Sequence, residues 1–310
     1  MRTFCAVIAV IVLMAGCVFD DDLRFVPQTG SVFLHTGERN VIKITDTGAT
    51  AEWKLAGAWE KVDDISGTQK TLWLAEGSTR QIWEYNPVEE QIVRSRETGT
   101  LSPHFIAAGD KVVAVCDTSE HLLGFFRQKD QVFTVVDPGF VPGRLAYRNG
   151  KFYIVADQKN VAVYDEQAYA QIGFVAFSHQ IVSVEADARS RIFVHTREGS
   201  NSWQGMIEYN TNSIGIEEQP VGYKKIRYTP YVEKPLGKEY IRDIQLVNGR
   251  LNIEGTPECT DFEADFFESN VYLVQRDTLF SFEIATGKQA AILPFTGNFL
   301  KGWYFIEQIP

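Results

Sequence analysis

Six polar residues in this sequence are of types that hold or act on a ligand: Asp64, His104, Arg144, His179, Asp243 and Lys301. A carboxylate moves a proton or holds a cation, an imidazole does either near neutral pH, and a guanidinium or ammonium holds an anion. They are spread over most of the chain, so only a fold that gathers distant segments makes one site of them. The alternative is that each is a solvated residue beside a water-filled channel. No local motif assigns catalysis. G-x-S-x-G, which exposes a nucleophilic serine, is absent, and so is the dinucleotide phosphate loop G-x-G-x-x-G. His35, His104, His121, His179 and His195 stand singly, without H-x-H or H-x-x-x-H spacing. His35 and His195 occupy matching strand ends, which reads as a repeat feature. A metal site is open only to ligands drawn one from each of several segments. The acidic stretch PECTDFEADFFES (257–269) carries Glu258, Asp261, Glu263, Asp265 and Glu268. Hard oxygen donors suit Ca²⁺, but the D-x-D-x-D-G order and the glycine of a sharp turn are missing. It reads as a solvated loop with Phe262, Phe266 and Phe267 packed down. No cofactor is expected, Ca²⁺ or another divalent ion being the one open alternative, and no catalytic residue is assigned.

What would position such residues is a repeat. The strand KFYIVAD has Tyr153 third. Similar strands put Phe33 (SVFLHTG), Trp73 (TLWLAEG), Val113 (KVVAVCD), Phe193 (RIFVHTR) and Tyr272 (NVYLVQR) in the same place. The first four steps are 40 residues and the last is 79, close to twice 40. Most are followed by a polar turn and a second strand, such as QIWEYNP or NVAVYDE, then by a further one such as KQAAILPF. Several are preceded by another, such as GRLAYRNG or HFIAAGD. Each unit is thus about four short strands rich in β-branched and aromatic residues. No helical pattern of comparable length follows residue 17.

Four strands per unit of this length is the blade of a β-propeller. The expected fold is all-β, a ring of seven blades of four antiparallel strands, with six as the alternative. Seven requires a diverged blade between Gly215 and Pro257, where IRDIQLVNGRLNIEG looks out of phase. FLKGWYFIEQ (299–308) reads as an inner strand with no blade after it, and SVFLHTG begins a blade that lacks one. The C-terminal strand then closes the ring and removes two exposed edges. The six polar candidates fall on inner strands or their loops, at one mouth of the central channel.

The unit RLAYRNGKFYIVADQKNVAVYD (144–165) resembles the YVTN/NHL/YncE-like group of bacterial β-propellers. The resemblance covers most of the chain on a loose motif, and it implies fold and not activity. The Gly-His…Trp-Asp pattern of WD40 repeats, the double glycines of kelch repeats and the Asp-box of sialidases are absent.

Before the repeats, Arg2 is the only charge ahead of an apolar run over 4–16. At 1.5 Å per residue that run is too short to span a bilayer but suits a signal peptide. Its end, LMAGC, resembles a bacterial lipobox. The resemblance implies a signal over 1–16, a lipidated Cys17, a tether over 17–29 and a propeller over 30–310. A plain secretory signal and an uncleaved anchor are the alternatives. Val18 in place of Asp implies, by the sorting rule of enterobacterial lipoproteins, the outer membrane, with the domain facing the periplasm. Net charge is −10, and such a surface repels nucleic acid phosphates, so nucleic acid is not an expected partner. Cys116 and Cys259 either pair or remain separate thiols, Cys116 lying on the apolar strand VVAVCD. The expected function is a monomeric, non-catalytic, membrane-anchored envelope lipoprotein that binds a protein or glycan partner through its loops and its 223–239 and 256–269 insertions. The alternative is a metal-dependent hydrolase or lactonase using channel-mouth carboxylates and His104. A structural envelope protein without a single ligand is a third reading.

Overall fold

A computed structural model describes residues 30–36, 39–45, 50–52, 58–68, 71–186, 192–199, 201–207, 219–221, 225–228, 243–247, 250–251, 258, 261–264, 270–283, 288–294 and 299–306. Cys17, the tether and Cys259 lie outside them, as does most of 223–239.

The strands follow one plan. β1 (Gly30–Thr36), β2 (Val41–Thr45) and β3 (Thr50–Glu52) open the first sheet. The second sheet is β4 (Asp64–Gly67), β5 (Leu72–Glu76), β6 (Gln81–Asn86) and β7 (Gln91–Glu97). The third is β8 (Phe105–Ala108), β9 (Val112–Asp117), β10 (Leu122–Arg127) and β11 (Val132–Val136). The fourth is β12 (Pro142–Arg148), β13 (Lys151–Ala156), β14 (Asn160–Asp165) and β15 (Gln171–Ala176). The fifth is β16 (Gln180–Ala186), β17 (Ile192–Glu198), β18 (Asn201–Ile207) and β19 (Gln219–Val221). A three-stranded sheet follows, β20 (Lys225–Tyr228), β21 (Asp243–Val247) and β22 (Arg250–Leu251). The last holds β23 (Asp261–Ala264), β24 (Asn270–Gln275), β25 (Thr278–Glu283) and β26 (Lys288–Pro294). The final strand, β27 (Phe299–Ile306), joins the first sheet as the antiparallel neighbour of β1, with Phe33 opposite Trp303 and His35 opposite Lys301. Among the described residues the strands thus make seven antiparallel sheets. The fold is an all-β propeller.

In the second, third and fourth sheets burial falls from the middle strands outwards. Every residue of β9 is buried, whereas β7 alternates between exposed and half-buried. A middle strand is covered on both faces, by the blade before and the blade after, and reads as a continuous apolar run for that reason. Period-2 geometry still operates: Phe126 packs with Trp73 and Val113 between the second and third sheets. Its neighbour Phe125 packs with Phe152, Ile154 and Tyr164 between the third and fourth. Adjacent side chains point to opposite faces, and here each face has its own core. Burying each ring contributes roughly 2–3 kcal/mol before entropy is counted.

The stretch 257–269 differs from the expected loop. Asp261–Ala264 form β23, whose Phe262 and Glu263 stand opposite Leu273 and Tyr272 of β24. The D-F-E-A alternation is a short strand pattern that its acidic flanks obscure. IRDIQLVNGRLNIEG supplies β21 and β22, with β20 ahead of them, and not an inner-strand turn.

Candidate ligand site at the inner strands

β4, β8 and β12 are the first strands of successive sheets, and each touches the next. An inner strand has a sheet partner on one side only, so half of its backbone N–H groups face away from its own blade. The preceding blade satisfies two of them. Ile106 N–H donates to Asp64 Oδ2 at 2.9 Å, and Ala108 N–H donates to Ser66 Oγ at 2.9 Å. Since 64 pairs with 106 and 66 with 108, β4 and β8 run parallel. Asp64 is 4% exposed: it stitches two blades together, its carboxylate spent on the scaffold.

His104 leads into β8. Its Nδ1 accepts the N–H of Thr118 at 3.3 Å and lies 3.7 Å from Asp117 Oδ1. Asp117 is fully buried. Its Oδ2 accepts from Ser102 N–H at 2.7 Å, and its Oδ1 from Ser119 and Glu120 N–H at 2.8 and 3.0 Å. His104 therefore braces the turn after β9, at the second hairpin of the third sheet. His179, ahead of β16, lies 3.6 Å from Glu198 Oε2 across its own blade. Asp243 opens β21, the middle strand of its three-stranded sheet, opposite Tyr228 of β20, and so is not on the first strand of its sheet as expected; Lys301 is the third residue of β27.

Arg144 is different. It lies where the register of β12 against β13 shifts, between Pro142 and Leu145. A bulge of this kind re-aims a side chain. The guanidinium is carried over the ring of Phe105 in the neighbouring blade, 5.3 Å from its centroid. It makes no hydrogen bond or ion pair with a described residue.

The sequence reading missed a set of acids, Glu76 and Asp117 buried and Asp157 exposed, that close the second strands of the blades. Glu76 Oε1 accepts from Glu60 N–H at 2.9 Å, and its Oε2 accepts from Thr79 Oγ1 at 2.7 Å. Asp157 Oδ1 accepts from Val141 N–H at 2.9 Å. With Asp117, these ties repeat one device: an acid at a strand end holds the segment that leads into the same blade's inner strand. The visible signal was the acid closing LWLAE, VVAVCD and KFYIVAD. Glu166 does similar work between blades, accepting from Lys111 and Val112 N–H at 2.7 and 3.1 Å and from Tyr147 Oη–H at 3.1 Å. Burial pushes the Tyr147 hydroxyl well up, and the Glu166 charge adds to it, so Tyr147 stays a donor.

Cys116 faces no thiol partner among the described residues, and burial pushes its thiol well up, with Asp64 and Asp117 adding to the effect. It is a neutral core residue. Among the described residues no three His, Cys, Asp or Glu side chains gather as a metal site would require. Asp265 and Glu268 lie outside them.

No family model matches the chain, and no curated protein does. Solved structures do. A provisionally named 6-phosphogluconolactonase of Bacteroides uniformis is 9% identical, with a TM-score of 0.61 over 89% of this chain and 99% of that one. A second protein so named, from Bacteroides fragilis, is 12% identical, with a TM-score of 0.57 over 89% and 99%. A chain of a nidogen–laminin complex is 12% identical, with a TM-score of 0.53 over 91% and 100%. At such identities the likeness is one of fold, and the class of protein it supports is a β-propeller.

Proposed function

We propose that this protein is a cell-envelope lipoprotein, anchored through Cys17, whose propeller is a non-catalytic binding module for a protein or glycan partner. The observation that carries the reading is how the candidates Asp64 and His104, and the buried acids Asp117 and Glu166, are engaged. A hydrolase acting at the channel mouth needs carboxylates and an imidazole free to face substrate or metal. Asp64, Asp117 and Glu166 each hold backbone N–H groups, and the Nδ1 of His104 accepts another. Partner contact falls to the loops and to the apolar side chains left exposed on outer strands, such as Ile172 and Phe174.

The test compares the intact protein with its Cys17→Ser form. Lipid labelling and membrane fractionation are expected to follow Cys17. Pull-down from detergent-solubilised membranes is expected to enrich a partner over an unrelated lipoprotein. A stoichiometric divalent ion in the purified protein, lost with lactone hydrolysis on His104→Ala, would overturn the reading in favour of a metal-dependent hydrolase.

A further inference from the structure

We propose that the inner-strand mouth is an oxyanion-recognition site in which Arg144 takes the carboxylate or phosphate group of a small anionic ligand. This deepens the binding-module reading and rests on it for biological context, but its chemistry stands on the Arg144 environment. The side chain is half-buried, yet its guanidinium makes no hydrogen bond or ion pair with a described residue. That is unusual in a chain of net charge −10, where carboxylates outnumber cations.

Two buried acids of the second and third sheets are engaged elsewhere. Asp64 and Asp117 are locked onto backbone N–H groups of β8, its lead-in segment and the turn after β9. Neither is free to turn towards Arg144. The ring of Phe105 covers one face of the guanidinium and leaves its edge, where the N–H donors lie, unspent. Stacking of this kind restrains the fork without consuming a donor. A planar fork with its donors free matches the two oxygens of a carboxylate or phosphate.

The topology brings two more of the candidate positions towards this end. Hydrogen bonding shows β4 and β8 to run parallel, so His104, just before β8, lies at the same end of its strand as Asp64. Lys301 falls near the start of β27, the strand that neighbours β4.

The experiment uses the soluble Cys17→Ser chain and three probes, D-glucuronate, inorganic phosphate and uncharged D-glucose, followed by titration calorimetry. The expected result is binding of one or both anions and not of glucose. Arg144→Gln then weakens anion binding by about tenfold or more, and Arg144→Lys by a smaller factor, because it keeps the charge and loses the fork. Binding of glucuronate alone assigns a carboxylate ligand, and binding of phosphate alone a phosphate ligand. Thermal unfolding of both variants is expected to match the parent, which separates lost recognition from lost structure. Absence of binding to either anion up to about 10 mM, or equal binding by Arg144→Gln, overturns the inference. The two readings fail separately. Partner capture unchanged by Arg144→Gln leaves the binding module standing and removes the anion site. Arg144-dependent anion binding with no partner captured does the reverse.

Discussion

Asp117 shows at the scale of one residue why charge in a sequence is ambiguous. Its carboxylate is buried and holds three backbone N–H groups. Removing it strands donors in the interior, each with a desolvation cost of its own. Asp117→Ala is expected to lose about 3 kcal/mol in urea unfolding, and Asp117→Asn less, since one oxygen acceptor survives. A loss under about 0.5 kcal/mol would show the ties to be dispensable. The sequence marked Asp64 and His104 as site candidates by type alone. Whether such a group faces ligand or backbone is decided by N–H groups on another strand or in a later turn, which no local pattern records. Arg144 was legible as a cation, but not as one stacked on a ring and without a hydrogen bond or ion pair among the described residues, because Phe105 lies 39 positions earlier. A titratable group with no part in the site gives a second test. Tyr85 is buried edge-on to Phe33. Burial, then the charge of Glu90, pushes its hydroxyl from 10.0 to about 12. The unfolded chain releases this proton first, so its contribution to stability is complete below pH 10.0 and is lost as pH rises towards about 12. Tyr85→Phe is expected to flatten the decline of stability across that window relative to the parent; identical slopes would place the hydroxyl in solvent.

At the scale of elements, the 40-residue step was readable because it follows the middle strands. Those strands are apolar on both faces, since each face belongs to a different inter-blade core. β19 and β23 were not readable: they are three and four residues long and carry Pro220 or flanking acids. The hairpin joining β13 to β14 shows how a turn locks neighbouring blades. Asp157 and Gln158 both take positive φ, 48° and 63°, the backbone of a tight type I′ connection. The same turn accepts Ile181 N–H on Gln158 O at 2.6 Å and Phe177 N–H on Lys159 O at 2.8 Å, so the next blade docks on it. Left-handed backbone is strained for a residue with a Cβ. Gln158→Gly removes that strain, keeps both backbone ties and gives up only an exposed side-chain bond to Gln180. It is expected to stabilise the protein by about 0.5 kcal/mol. A destabilised variant would mean that the Gln158 side chain matters more to docking than its backbone strain costs.

At the scale of the whole molecule, the repeat pattern reads SVFLHTG as the second strand of a blade and FLKGWYFIEQ as an inner strand. The pairing of β27 with β1 puts these two distant strands side by side in one sheet. It also makes β27 the neighbour of both β23 and β4, so one strand touches the last sheet and the second. Deleting residues 299–310 would strip Phe33 and Leu34, both fully buried, of a flanking strand. It would also leave β1 as an open edge, which invites pairing with other chains. If the strand is the clasp of the ring, its loss costs an amount comparable to the whole stability of a domain, about 5 kcal/mol or more. The truncated chain is then expected to lose its single cooperative unfolding transition and to run as aggregate on size exclusion. Adding the 299–310 peptide in trans is expected to restore part of the monomer, because the missing strand contributes pairing and not chain connectivity. A truncated chain that stays monomeric, with an unchanged unfolding midpoint, would show that the first sheet holds without β27 and that the ring is clasped elsewhere.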